Sequence, residues 1–531
     1  MSTDSIVRSG DSPHRSQAYP GKSNAESAGA CKGAGAFTET TCLWNSVAGP
    51  PRPSRSVSGA DIERDRLLEN RRNFLSHTAF GFGASVAGIL LAQQATAGHH
   101  SSTRPLSPQL SHFPASAQRV IFIFCTGGPS QLETFDPKPA LRRYHGQRIP
   151  ESYRTEGLAL QFMKASEGTL MASPFEFRRS GHSGLEISTL FPHLAAHADE
   201  LAVIRSCHHD SFIHGPASSI VNTGSALLGH PSMGAWITYG LGSLTDNLPA
   251  YIAMTDAGFR VGPAVSYGSG FLPAIYQGTV VRTEGSPVSN LTPVGTPGQQ
   301  RTMLDKLQRW NSRYASARSE DSRLSAQLAN YELAFRMQTA APDLMKLEDE
   351  TEATRALYGI DREPTTRFGR MCLLSRRMVE RGVRYIQLFN NDWDGHGECA
   401  ANHQTNADRT DQPIAALLTD LKQRGLLDST LVVWAGEFGR TPVMQGSNGR
   451  DHSPYGFSVW LAGGGVRGGQ AIGATDELGF RAVENKVHVH DLHATMLALL
   501  GFDHERLTYH FEGRDRRLTD VFGHVISDVI L

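Results

Sequence analysis

Asp392 and His396 stand four residues apart in the run Asn391-Asp-Trp-Asp-Gly-His-Gly397. A carboxylate and an imidazole on one short loop suit divalent metals such as Zn, Mn, Ca or Mg. Two clusters of the same kind follow. Glu437 lies in Gly436-Glu-Phe-Gly-Arg-Thr-Pro442, and His452 closes Gly449-Arg-Asp-His452. Arg440, close behind Glu437, carries a planar fork that could clamp an anion or pair with Glu437 or Asp451. Polar residues collect in loops anyway, so any one of these is an ordinary loop or cap. Together they are less ordinary, because each adjoins an apolar run: Val383 to Phe389, Leu431 to Ala435 and Phe457 to Ala462. Open α/β sheets hold their ligands just outside the carboxyl ends of such strands.

The runs belong to a regular rhythm. Arg119 to Cys125 is continuously apolar after its first residue, as in a parallel strand buried on both faces, and breaks at Thr126-Gly127-Gly128-Pro129-Ser130, where backbone can approach a ligand closely. Leu201 to Ile204 is a second strand candidate. A helical pattern from Phe368 to Arg381 leads into the Val383 run, another from Pro413 to Gly425 into the Leu431 run, and a last helix starts near His490. Helix followed by strand, repeated, predicts a mostly parallel sheet between helices.

Composition narrows the function. Among 531 residues, 51 Lys+Arg balance 52 Asp+Glu, which argues against a nucleic-acid surface. The 22 histidines point to metal or acid/base chemistry. Six cysteines include no Cys-x-x-Cys pair, so no zinc knuckle or thioredoxin-like site is encoded; Cys207 and Cys399 are the candidates for a disulfide. Residues 1–69 are rich in Ser, Gly and Pro and read as disordered or as an over-extended start site. Over residues 70–97, Arg71-Arg72-Asn-Phe-Leu75 precedes a Gly/Ala-rich apolar run and Ala95-Thr-Ala97, the order of a twin-arginine secretory signal. The run is too short and Gly-rich for a stable membrane anchor. A linker over 98–117 then opens a domain over 118–531. Export through the twin-arginine machinery to the periplasm or beyond is expected. Changing Arg71 and Arg72 together to Lys is then expected to leave the precursor in the cytoplasm, read by fractionation; unchanged export would refute the signal.

These segments resemble the sulfatase-like family known as domain of unknown function 1501, twin-arginine-exported proteins related to the alkaline phosphatase superfamily. The resemblance rests on Arg71-Arg72-x-Phe-Leu75, Gly127-Gly-Pro-Ser130, Phe135-Asp-Pro-Lys-Pro139, Gly268-Ser-Gly-Phe-Leu-Pro273, Asp394-Gly-His396, Glu437-Phe-Gly-Arg-Thr-Pro442, Gly449-Arg-Asp-His452 and Asp491-Leu-His-Ala-Thr495. It implies an alkaline phosphatase/sulfatase-like α/β fold with a mostly parallel sheet sandwiched between helices. It also implies metal-dependent hydrolysis of a sulfate or phosphate ester on a small molecule or polysaccharide. Asp392, His396, Glu437 and His452 would hold the metal, and Arg440 would stabilise the anion. Two departures stand out. Phe438 replaces an expected histidine ligand, and His214 occupies the sulfatase nucleophile position, where no formylglycine can form; it serves as ligand, base or nucleophile in that order, with Asp210, Ser211 and Ser218 nearby. The Asp usual after the first strand is absent, leaving Ser130 and Asp136 as the nearest oxygen donors. A secreted binding protein that keeps the fold without catalysis is the alternative.

Overall fold

The computed structural model describes residues 105–531 except 151–152, 154–157, 159–167, 257–262, 284–294 and 317–321. The expected N-terminal extension, the twin-arginine segment and the first linker residues lie outside the described residues. The described residues form one compact unit.

Its centre is a nine-stranded sheet. The strands that matter here are β1 (Arg119–Cys125), β2 (Leu201–His208), β3 (Tyr251–Thr255), β4 (Thr279–Val280), β5 (Tyr385–Asn390) and β6 (Thr430–Gly436). After a hairpin, β7 (Gly439–Gln445) and β8 (Gly449–Ser453), come β9 (Phe457–Ala462), β10 (Gln470–Ile472) and β11 (Val487–His488). In the sheet the order is β10, β2, β9, β6, β1, β5, β3, β4, with β11 also on β2. All neighbours run parallel except β9, which is antiparallel to both β2 and β6. This is the α/β class the sequence predicts.

Two apolar layers explain why the central strands read as continuous apolar runs. Along β1, Ile121, Ile123 and Cys125 face one core and Val120, Phe122 and Phe124 the other, the alternation that a strand imposes. The first core is covered by α5 (Thr366–Glu380) and α6 (Cys399–Gln423), through Met371, Leu374, Leu417 and Leu421. The second is covered by α2 (Met233–Leu241) and α7 (Val489–Leu499), through Trp236, Ile237, Leu492 and Met496. Between β2 and α2 runs α1 (His214–Thr223). Of the remaining helices, α3 (Pro297–Ser316) and α4 (Ser322–Met345) fill the stretch before α5.

Several boundaries differ from the sequence reading. Helix α6 begins at Cys399, far ahead of Pro413, which sits inside it; its first half is polar and hides the helical period. Gly449 to Ser453 is a strand, not a loop, paired antiparallel with β7 so that His452 lies opposite Arg440. On the last helix, where a histidine on a helix surface would be expected to face solvent, His493 is instead buried and shares a hydrogen bond with the Val221 carbonyl. Among the described residues Cys125, Cys207, Cys372 and Cys399 are free thiols, and no disulfide joins Cys207 to Cys399. Among the described residues no helix is long and apolar enough to cross a membrane.

Candidate metal centre

Parallel register brings three strand ends level. Cys125 of β1 pairs with Asn390 of β5 on one side and Gly436 of β6 on the other, so the loops Thr126–Ser130, Asn391–Gly397 and Glu437–Phe438 leave the sheet together. The Thr126 loop is glycine because its neighbours leave no room. Gly127 lies at φ +108° and a Cβ there would come within 2.5 Å of the Asp394 nitrogen; on Gly128 it would meet the Phe438 ring at 2.5 Å. Opposite, α1 starts with His214 as its first residue, and the β7–β8 hairpin closes a third side.

His214, Asp394, His396 and His452 converge there, each offering a ligand atom within 4.8 Å of the others'. Around the Asp394 carboxylate, Oδ1 lies 3.2 Å from His396 Nε2 and 3.3 Å from His452 Nε2, and Oδ2 lies 3.3 Å from His214 Nε2. Every one of the three rings has its other nitrogen against an oxygen acceptor. His214 Nδ1 lies 2.8 Å from Glu437 Oε1, His396 Nδ1 lies 2.6 Å from Gln445 Oε1, and His452 Nδ1 lies 2.8 Å from the Phe212 carbonyl. With Nδ1–H donated in each ring, three Nε2 lone pairs point toward one carboxylate, an arrangement that a shared cation would stabilise.

Electrostatics give the same picture. Burial pushes the Asp394 carboxyl up, but hydrogen bonds from His214 and His452 and the Arg440 charge hold it well below the usual carboxylate range. Burial works against charge on His214, yet the Asp394 and Glu437 carboxylates lift it to about 9. His452 moves the other way, lowered by burial and by the Arg440 and His214 charges against the pull of Asp394. Without a metal, a proton on His214 thus stands in for positive charge.

The residues singled out from sequence divide accordingly. His396, His452 and His214 meet in the cluster. Asp392 is not the carboxylate there; Asp394, two residues on, is. Asp392 takes φ +81°, and its carboxylate lies 4.0 Å from Arg409. Glu437 stands one shell back, fully buried, accepting from Gly127 N at 2.7 Å and from His214 through the same Oε1. Arg440 is fully buried rather than facing a ligand. Its Nε donates to the Gly128 carbonyl at 2.9 Å, its Nη1 to the Arg450 carbonyl at 3.2 Å, and its Nη2 to the Gly127 carbonyl and, at 2.6 Å, to Asp394 Oδ1. Just past the end of β2, His209 turns away to the Glu437 carbonyl while its neighbour His208 packs on His488. Asp136 is engaged by Lys138 and Thr475. Sequence reasoning missed Gln445, which carries no signal of its own; only the hairpin places it beside His396.

The hairpin and the loop over Asn391–Gly397 are joined through backbone. Arg450 N donates to the Gly395 carbonyl at 3.0 Å and Cys399 N to the Asn448 carbonyl at 3.1 Å. The contact is so close that a Cβ on Gly449 would fall 1.7 Å from the His396 carbonyl oxygen.

Fold and site define an α/β protein with a three-histidine, one-aspartate cluster at the carboxyl edge of a mostly parallel sheet. Residues 117–530 match the family described as "Protein of unknown function (DUF1501)", and the chain belongs to that family. No curated protein matches it. Solved structures similar to it include the lipoteichoic acid synthase LtaP from Listeria monocytogenes, 10% identical, covering 75% of this chain and 76% of that one at a TM-score of 0.30. The PsFucS1 sulfatase from Pseudoalteromonas sp. is 12% identical over 73% of this chain and 68% of its own, with a TM-score of 0.31. Alkaline phosphatase from the Antarctic bacterium TAB5 is 10% identical over 66% and 92%, with a TM-score of 0.25.

Proposed function

We propose that this chain is an exported metal-dependent hydrolase of sulfate or phosphate esters, in which His214, Asp394, His396 and His452 hold a divalent ion. The observation that carries the reading is the three-ring arrangement, with every Nδ1 on an acceptor and every Nε2 turned toward Asp394. Three imidazoles and one carboxylate favour Zn, with Mn next, over Ca and Mg, which prefer all-oxygen shells. Such an ion would supply Lewis acidity toward the ester oxygens and lower the pKa of a bound water.

The chain's own residues do the rest. Glu437 orients His214 by accepting from its Nδ1, so that Nε2 is the nitrogen an ion would take once the proton held there without a metal is displaced; Gln445 and the Phe212 carbonyl orient the His396 and His452 rings in the same way. Asp394 is 42% exposed at its side chain and His214 21%, which leaves an open face for substrate. An ester anion there meets the N-terminus of α1, whose first-turn N–H groups lack intrahelical acceptors and carry the positive end of the helix dipole. Both nitrogens of His214 are engaged, which favours a ligand over a nucleophile and water as the attacking group.

Gln445→Ala is expected to weaken metal affinity about 10–100-fold by releasing the His396 ring, the usual effect of losing an outer-shell partner. Chelator competition measures it, and unchanged affinity would refute the orienting role. The function itself is tested by elemental analysis of protein purified without chelators, followed by assay on aryl sulfates and phosphomonoesters with Zn, Mn, Ca and Mg. Metal-dependent turnover lost in His452→Ala supports the reading. Metal-containing protein with no turnover on any ester supports the second reading, a secreted metal-binding protein without catalysis, which is favoured by one fact: Arg440, expected at the anion, is instead committed to Asp394 and backbone carbonyls.

A further inference from the structure

Behind the cluster sits a histidine that takes no part in it. His209, only 1% exposed, follows the last residue of β2 and begins the link to α1. Its backbone N–H donates to the Pro454 carbonyl at 3.0 Å, two residues beyond His452. Its ring packs edge-on against Phe457, with centroids 5.6 Å apart. An imidazole this deeply buried is costly unless its nitrogens are paired, and both are. Nε2 meets the Glu437 carbonyl, and Nδ1 lies 3.1 Å from the Ser211 nitrogen.

Those partners fix its protonation. A carbonyl only accepts, so Nε2 carries the proton; a backbone N–H only donates, so Nδ1 presents its lone pair. Burial holds the pKa of the ring down to about 4, which keeps this neutral form at ordinary pH. The three cluster rings have the opposite arrangement, with Nδ1 against an acceptor and Nε2 toward Asp394. His209 therefore has no lone pair left for a metal. What it holds is the supports of two rings that do.

The first support is Glu437. Its carboxylate Oε1 is fixed between Gly127 N at 2.7 Å and His214 Nδ1 at 2.8 Å, while His209 fixes its carbonyl, so the residue is pinned at side chain and main chain alike. The second is Phe212, whose carbonyl lies 2.8 Å from His452 Nδ1. Ser211, held by His209 Nδ1, is the residue before Phe212, so the turn it makes sets where that carbonyl points. One imidazole thus stands behind the partners of both His214 and His452, whereas His396 is oriented from elsewhere, by Gln445 at 2.6 Å. An apolar side chain of similar size would fill the space beside Phe457 and make neither bond.

We infer that His209 is a positioning residue, setting the orientation of the His214 and His452 rings through Glu437 and Phe212. For what those rings hold, this rests on the metal reading; for the orientation itself it does not. Two amides divide its bonds. His209→Gln brings an amide nitrogen to the reach of Nε2 and keeps the Glu437 bond while losing the acceptor for Ser211. His209→Asn puts an amide oxygen in place of Nδ1 and loses the Glu437 donor instead, and His209→Leu loses both. The first readout is the ring-nitrogen NMR resonances of the whole protein without metal. The asparagine variant is expected to move those of His214 and leave His452, the glutamine variant the reverse, with His396 unmoved in both. The second readout is zinc affinity by chelator competition, expected to fall about tenfold in His209→Leu, the lower end of the range for an outer-shell partner, and by less in each amide. A histidine that only fills the core predicts lower urea midpoints in all three variants with the two rings and zinc affinity unchanged. That result, or shifts that strike all three cluster rings alike, would overturn the proposal, and if the leucine variant does not fold the two amides decide it. Selective shifts in a protein that takes up no zinc would uphold the role of His209 and sink the metal reading alone.

Discussion

Asparagine in place of Asp394 is expected to weaken metal binding roughly 100-fold or more, whereas the same change at Asp392 leaves metal affinity as it was. That figure is a floor, since loss of an outer-shell partner alone costs about 10–100-fold and Asp394 is the carboxylate on which all three Nε2 atoms converge. Asparagine keeps the shape and removes the charge. Three imidazoles then share a site with no anion, and an ion entering it meets the Arg440 guanidinium with nothing between them to offset the repulsion. Titration of the metal-free protein with Zn, read by calorimetry, separates the two positions. Equal losses at both, or a loss at Asp392 alone, would return the ligand role to Asp392.

Arg440→Gln is expected to destabilise the protein by about 3–5 kcal/mol, less through the ion pair, whose Asp394 end is 42% exposed, than through the buried donors it removes. Arg440 is fully buried and serves three backbone carbonyls besides Asp394. Each carbonyl left without a donor costs about 1–3 kcal/mol in its own right. Lysine is not expected to rescue it, because one ammonium cannot reach acceptors arranged around a planar fork. Urea unfolding of wild type, Arg440→Gln and Arg440→Lys supplies the measurement. A glutamine variant within about 1 kcal/mol of wild type, by the scale of ordinary surface changes, would show that the network carries little of the stability.

The sheet was largely legible because β1, β6 and β9 are buried on both faces and therefore apolar along nearly all of their length. The hairpin was not, for the opposite physical reason. Arg440, Arg450, Asp451 and His452 are all buried, so β7 and β8 pack through charge and hydrogen bonds and show no alternation of apolar and polar residues. Arg450 alone reaches Glu133 at 2.7 Å and the Thr441 carbonyl at 3.0 Å. Spacing also misled the choice between Asp392 and Asp394. Both sit in one loop, four and two residues before His396, and the superfamily resemblance favours the longer spacing. Which carboxylate turns inward depends on a single left-handed residue, and that conformation leaves no mark on an aspartate in the sequence. The histidines were found because imidazoles beside strand ends are scarce enough to stand out.

The backbone junction between the hairpin and the loop over Asn391–Gly397 bears on time rather than on strength. His396 and His452 are far apart in the chain, yet hydrogen bonds through Gly395 and Asn448 and the close approach at Gly449 tie their two segments into one body. The two backbones cannot part by a side-chain rotation; for that the hairpin must lift away from the loop, a local unfolding event. An ion seated between them would be reached through the open face beside Asp394 and His214, while full parting of the two segments waits on the hairpin.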